Sequence, residues 1–169
     1  MWVATTAAPA AAAAAGATVV ATHIRLGPRI PDPEPVYDDV VEAVRTFLLD
    51  RVAQARAAGL PSDRIVVDAG LDLGKTADQS LTLLRASDRL AALGCPLLLS
   101  ASNKTFLGVV LDLAIGERRQ ASLAATALGA ALGCRIMRVH DVAAHRQVCA
   151  VMGAISAARR PVGVPGVDR

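Results

Sequence analysis

Aromatic side chains are nearly missing: Trp2, Tyr37, Phe47 and Phe106 are all there are in 169 residues. Ala, Leu and Val must therefore fill the interior. Runs of basic residues are missing too, since a formal charge of +3 comes from scattered arginines. Without a basic stripe and interleaved aromatics, a nucleic-acid partner is not expected. Cysteine is sparse, and Cys95, Cys134 and Cys149 stand far apart in apolar stretches without metal-ligand spacing. They read as reduced core residues of a cytoplasmic protein. No stretch is long and apolar enough to span a bilayer, so no membrane partner is expected. Residues 1–17, "MWVATTAAPAAAAAAGA", lack the basic start and Leu-rich middle of a signal peptide. They read as an Ala-rich helix remnant ended by Gly16.

Lysine is the scarcest cation. Sixteen arginines accompany two lysines, Lys75 and Lys104. Both fall in a polar loop after an apolar run, in "LGKT" and "SNKT". An ammonium differs from a guanidinium in reach and geometry, so a role for at least one of them is expected. The stretch "VVDAGLDLGKT", Val66 to Thr76, imitates a phosphate-binding loop but is one residue short. The required glycine slot holds Ala69, and Gly70 leaves three residues before Gly74 instead of four.

A repeating order of elements is present. "ATVVATH" reads as a strand ending at His23. A helix follows with apolar residues at Val40, Val44, Phe47, Leu48 and Val52, acidic Asp38 and Asp39 in its first turn and Gly59 closing it. "RIVVD" is a strand ending at Asp68, followed by one helix over residues 77–92 that Gly94 stops. "PLLLSAS" is the third strand, leading through Ser102, Asn103 and Lys104 to a short turn and a long Ala-rich helix. "CRIMRVHD" is the fourth, with a last helix over 142–158 and a loose tail at 159–169. Four apolar strands each followed by a helix predict a parallel α/β sheet over residues 18–158, buried on both faces. A small doubly wound sheet and part of an eight-stranded barrel both fit. In either, ligands bind beyond the carboxyl ends of the strands. His23, Asp68, Ser102, Lys104, Arg138 and His140 collect there.

Each also has a structural reading. His23 can close a loop, Asp68 can cap a turn, and Ser102 and Asn103 are turn formers. Asp141 is expected to cap the last helix, and His145 inside it to be structural. Arg138 and His140 alternate on the fourth strand, which points both side chains the same way and suggests an anion site.

The segments "RIVVDAGLDLGKT", "PLLLSASNKTFLG" and "RVHDV", in this order and spacing, resemble the three C-terminal signatures of dihydropteroate synthases. The resemblance covers Gly16 to Ile155, and the composition is most similar to a divergent second copy in actinobacteria. It implies a TIM (β/α)8 barrel of which this chain carries the last four βα units. It implies that Asp68 anchors a pterin through its amino and ring N–H groups, that Lys104 bonds the pterin's other side, and that Arg138 stacks on the ring. Arg138 and His140 are implied as the catalytic pair holding the diphosphate, and Ser102 as lying beside 4-aminobenzoate. The implied reaction condenses 6-hydroxymethyl-7,8-dihydropterin diphosphate with 4-aminobenzoate in folate biosynthesis. Magnesium is the implied cofactor, its protein ligand lying in the absent N-terminal half, and the implied assembly is a homodimer.

Departures limit the transfer. Ala69 stands where the family has Pro, Leu71-Asp72-Leu73 replaces an aromatic-glycine-aromatic run, and Asn103 replaces an arginine. The pterin contacts survive better than those of the second substrate. With half a barrel present, the expectation is a chain without synthase activity by itself; the alternative is a non-catalytic pterin-binding paralogue or partner protein.

Overall fold

A computed structural model describes residues 7–27, 30 and 32–158. The tail expected at 159–169 and the first six residues lie outside them.

Four short strands, β1 (Val19–Thr22), β2 (Ile65–Asp68), β3 (Leu97–Leu99) and β4 (Ile136–Met137), form one parallel sheet in the order β1-β2-β3-β4. That order separates the two architectures left open by the sequence. A doubly wound sheet reverses its strand order at one point; here every crossover steps the same way. With right-handed connections, all helices then pack on one side, as in a barrel wall. Val19 aligns with Ile65, Thr22 with Asp68, Asp68 with Leu98, and Leu98 with Ile136. Alternation sends Ala21, Ile65, Val67, Leu97 and Leu99 into the helix-side core, each at most 5% exposed. The other face carries Val20, Thr22, Asp68 and Leu98, so one strand serves packing and site at once.

The helices follow from local chemistry. Helix α1 (Ala7–Ala14) tolerates the buried Pro9 because that residue lies in the first turn, where an N–H has no partner to lose. Asp39 caps α2 (Val40–Ala57), accepting the N–H groups of Val41 and Glu42, so Asp38 and Asp39 precede the helix instead of forming its first turn. The buried residues Val40, Val44, Leu48, Val52 and Ala55 form its inward stripe. Thr76 and Gln79 cap each other's backbone at the start of α3 (Ala77–Arg85).

The single helix expected over 77–92 is two pieces, α3 and α4 (Ser87–Ala91). The Ser87 hydroxyl donates to the Leu84 carbonyl at 2.8 Å, competing with the helical ladder at the point where Ala86 leaves helical geometry. After β3 come α5 (Thr105–Leu111), a 3-10 turn (Ile115–Glu117) and α6 (Arg119–Ala131). Helix α7 (Val142–Ala157) begins at Asp141, whose carboxylate accepts the Ala144 N–H at 3.1 Å, as expected of a cap. His145 bonds Thr126 across α6 and α7 at 2.8 Å and is structural. Among the described residues no helix is long and apolar enough to cross a membrane. Cys95, Cys134 and Cys149 are free thiols.

Candidate functional site

At the carboxyl ends of the strands a cavity of about 190 Å³ opens, lined by Thr22, Asp68, Leu98, Ser100, Lys104 and Arg138 among others. Asp68 is its buried acid, 6% exposed. One carboxylate oxygen accepts the Gly70 N–H at 2.8 Å and the other accepts the Thr22 hydroxyl at 3.3 Å. Burial pushes the Asp68 carboxyl above the usual range, while the Gly70 N–H, the Thr22 hydroxyl, and then Lys104 and Lys75 work against that. Asp68 caps no helix, since Thr76 performs that task for α3. It still has lone pairs facing the cavity, where a ligand with two parallel N–H donors can meet it.

Gly70 makes this turn possible. Its φ is +66°, and a Cβ there would overlap the carbonyl oxygen of His23. The chain thus folds back on the end of β1 directly after Asp68. Lys104, from the loop after β3, donates to the Leu71 carbonyl at 3.1 Å and reaches the same cavity from the opposite side.

A second cavity, about 470 Å³, shares Ser100, Lys104 and Arg138 with the first and adds Ser102, Asn103 and His140. No acidic residue lines it. Three basic side chains, Lys104, Arg138 and His140, therefore face one space, which suits an anion. The fourth strand is shorter than expected: β4 stops at Met137, and Arg138 keeps one further sheet bond, to the Leu99 carbonyl at 2.9 Å. Arg138 and His140 thus lie past the strand end and still line the same cavity. Ser102, 6% exposed, places its hydroxyl 3.0 Å from His140 Nδ1 and accepts the His140 N–H at 3.3 Å. That pair ties the β3 loop to the β4 loop.

Asn103 adopts a left-handed φ of 58°. Its N–H donates to the Ser122 hydroxyl at 3.0 Å, and that hydroxyl stands 3.5 Å from the Asn103 side-chain oxygen. Arg118 holds the carbonyls of Asn103 and Lys104 at 3.2 and 3.3 Å. A guanidinium is thus near this loop, but it is spent on backbone carbonyls.

Of the six residues grouped by sequence, five line these cavities and His23 does not. Its imidazole, 4% exposed, turns to the helix side, edge-on to Phe47 at 4.9 Å between ring centres. Thr22 was not singled out from sequence; its register opposite Asp68 is the signal, and that needs the strand pairing. The bonds of Lys75 were equally hidden, because they run to His23, 52 residues earlier, and to the turn around it.

The comparisons with known proteins converge. The model of the pterin binding enzyme family matches residues 3–140. The inactive dihydropteroate synthase 2 of Mycobacterium leprae is 40% identical over 157 residues, covering 86% of this chain and 52% of the relative. The crystal structure of dihydropteroate synthase from Stenotrophomonas maltophilia superposes with a TM-score of 0.86 at 38% identity, over 90% of this chain and 58% of that one. The enzyme from Xanthomonas albilineans in complex with 7,8-dihydropteroate gives 0.82 at 34% identity, over 92% and 56%. The chain spans about half the length of the curated relatives it matches. The matched segment holds Asp68, Ser102, Lys104, Arg138 and His140, and this chain belongs to the pterin binding enzyme family, its four βα units having the fold of the matching part of the dihydropteroate synthase barrels.

Proposed function

We propose that this chain carries the pterin- and diphosphate-facing half of a dihydropteroate synthase-like site and is inactive on its own. The observation behind this reading is the buried Asp68 carboxylate in a cavity whose mouth is basic and free of acids. Asp68 accepts the amino and ring N–H groups of the pterin, and Lys104 bonds its opposite edge. Arg138 covers the ring, and Arg138 with His140 holds the diphosphate. As the aromatic amine of 4-aminobenzoate displaces diphosphate from the pterin methylene carbon, negative charge gathers on the leaving group. Fixed cations at that point lower the barrier without reorganising. Ser102, bonded to His140, lies on the aminobenzoate side. Among the described residues no three His, Cys, Asp or Glu stand together as a metal site. Magnesium, whose protein ligand the resemblance places outside these four βα units, would neutralise diphosphate charge when bound. The site is cytoplasmic in this reading.

The test is to add 6-hydroxymethyl-7,8-dihydropterin diphosphate and 4-aminobenzoate to the purified chain and follow diphosphate release and pterin binding together. Binding without release supports the proposal. Sustained release by the 169-residue chain contradicts its inactivity.

A second reading, a non-catalytic pterin-binding paralogue, is favoured by Asn103, whose side chain faces Ser122, and by the relative named inactive. If restoring the cation by Asn103→Arg in a version extended to the whole barrel gives no gain in turnover, this second reading stands.

We also propose a homodimer. Val109, Val110, Leu111 and Ile115, with Val142, Val151 and Ile155 on α7, are 52–66% exposed and apolar.

A further inference from the structure

Lys75 has no part in the site described so far, yet it is one of two lysines and is 8% exposed. Its ammonium has three donors and meets three acceptors: His23 Nδ1 at 2.9 Å, the Gly70 carbonyl at 2.9 Å and the Leu73 carbonyl at 3.0 Å. For His23 to accept, its imidazole must be neutral with the proton on Nε2. Two other bonds of the same turn lead into the cavity and a third leads into α3. The Gly70 N–H holds Asp68, the Leu71 carbonyl takes Lys104, and the Asp72 N–H donates to the Ser80 hydroxyl at 3.1 Å. Tyr37 closes the turn's far end through the Gly74 carbonyl at 2.8 Å.

We propose that Lys75 is the positioning residue of this site: from beneath, its amine shapes the Gly70–Leu73 turn and so sets Asp68 and Lys104 for the pterin. The ligand part of this proposal rests on the pterin reading above; the turn part does not. A guanidinium cannot replace it. Its planar fork is wider than an ammonium and cannot direct three short bonds to acceptors grouped around one nitrogen. That gives a physical reason for lysine at this position in a chain with sixteen arginines and one other lysine, Lys104.

The arrangement also responds to protons. Burial brings the Lys75 amine down to about 7, with Lys104 adding to the fall and Asp68, Asp72 and Asp32 opposing it. His23, at about 3 through burial and the neighbouring Lys75, stays neutral throughout that range. Facing Lys75 are thus His23 and Asp32 from the loop after β1, Asp68 from β2, Asp72 from the turn and Lys104 from the loop before α5. When Lys75 loses its proton it keeps two donors and gains a lone pair. Either one turn carbonyl then loses its donor, or His23 changes tautomer and donates from Nδ1; in both cases a positive charge leaves the underside of the turn.

The test uses the full chain labelled at lysine and at backbone amides. Two lysines give two side-chain signals, assigned with Lys104→Arg. Without any ligand, the Lys75 signal is expected to titrate near neutral pH, with the Gly70 and Leu71 N–H signals moving at the same midpoint. In the second arm, 6-hydroxymethylpterin affinity falls about tenfold in Lys75→Met, on the scale of one or two lost positioning bonds, and Lys75→Arg does not restore it. Amide signals of Gly70 and Leu71 that ignore the Lys75 titration overturn the proposal. So does full pterin affinity in either variant. A wild-type chain that binds no pterin defeats the functional reading instead, and the ligand-free titration still decides the role of Lys75. It decides it equally if Lys75→Met fails to fold.

Discussion

Asp72 caps a helix that starts 33 residues after it. Its carboxylate accepts the N–H of Thr105 and, at 3.3 Å, that of Phe106, the first two residues of α5. Asp72 itself sits at φ 63°, a conformation suited to glycine, in a run where the family carries glycine. The carboxylate thus offsets a strained backbone and joins the β2 loop to the β3 loop across the cavity.

Two terms separate the substitutions at this position. Asp72→Ala loses the cap, about 1 kcal/mol, and keeps a side chain at positive φ, about 1 kcal/mol more in a position Asp tolerates better. Asp72→Gly loses the cap and gives its unfolded chain more freedom but sheds the backbone strain, so it keeps more stability than Asp72→Ala. Denaturant unfolding should therefore rank the proteins wild type, Asp72→Gly, Asp72→Ala in falling stability. Equal losses for the two variants would mean that the backbone at 72 is not strained.

The Lys75–His23 pair predicts a pH dependence of stability with a definite sign. Folded His23 holds its proton only below about 3, against 6.5 unfolded; folded Lys75 releases its proton at about 7, against 10.5. In both windows the unfolded chain binds more protons, so stability rises with pH, by up to about 1.4 kcal/mol per unit for each group. The His23 contribution is complete above 6.5 and is lost as pH falls to 3. The cost of burying charged Lys75 is complete below 7 and disappears toward 10.5. Asp68, pushed upward by burial, acts in the opposite sense in acid, so the measurement is the difference between wild type and variant. Against wild type, His23→Gln should flatten the acid limb and Lys75→Met the alkaline one.

The exposed apolar faces of α5 and α7 predict self-association. Sedimentation should give a dimer for the wild type, and Ile155→Glu, at a position 60% exposed, should shift it to monomer without loss of stability. A wild-type monomer at high concentration would remove the basis for a homodimer.

The positions of the strands along the chain and of most helices were legible because apolar runs, caps and glycine stops are local. Asp39, Thr76 and Asp141 declare their helices within four residues. The choice between barrel and doubly wound sheet was not legible from periodicity, because it depends on which strands pair. The break at Ala86 was hidden because an inward-facing serine looks like any small helical residue until its carbonyl partner is known. Asp68, Lys104, Arg138 and His140 were found because they follow strand ends, and position along a strand end is a sequence property. His23 failed the same rule: residue 23 follows Thr22, so alternation turns it to the opposite face. The task of Lys75 required knowing that His23 lies beneath the Gly70 turn.

The central claim is that Asp68 holds a pterin. Isothermal titration of the purified chain with 6-hydroxymethylpterin, beside Asp68→Asn and the exposed control Asp63→Asn, tests it directly. The account predicts binding by the wild type and the control, and a loss of about a hundredfold in Asp68→Asn, where an amide replaces one acceptor oxygen with a donor facing the ligand's N–H. Unchanged affinity in Asp68→Asn, or no binding by the wild type, would contradict it.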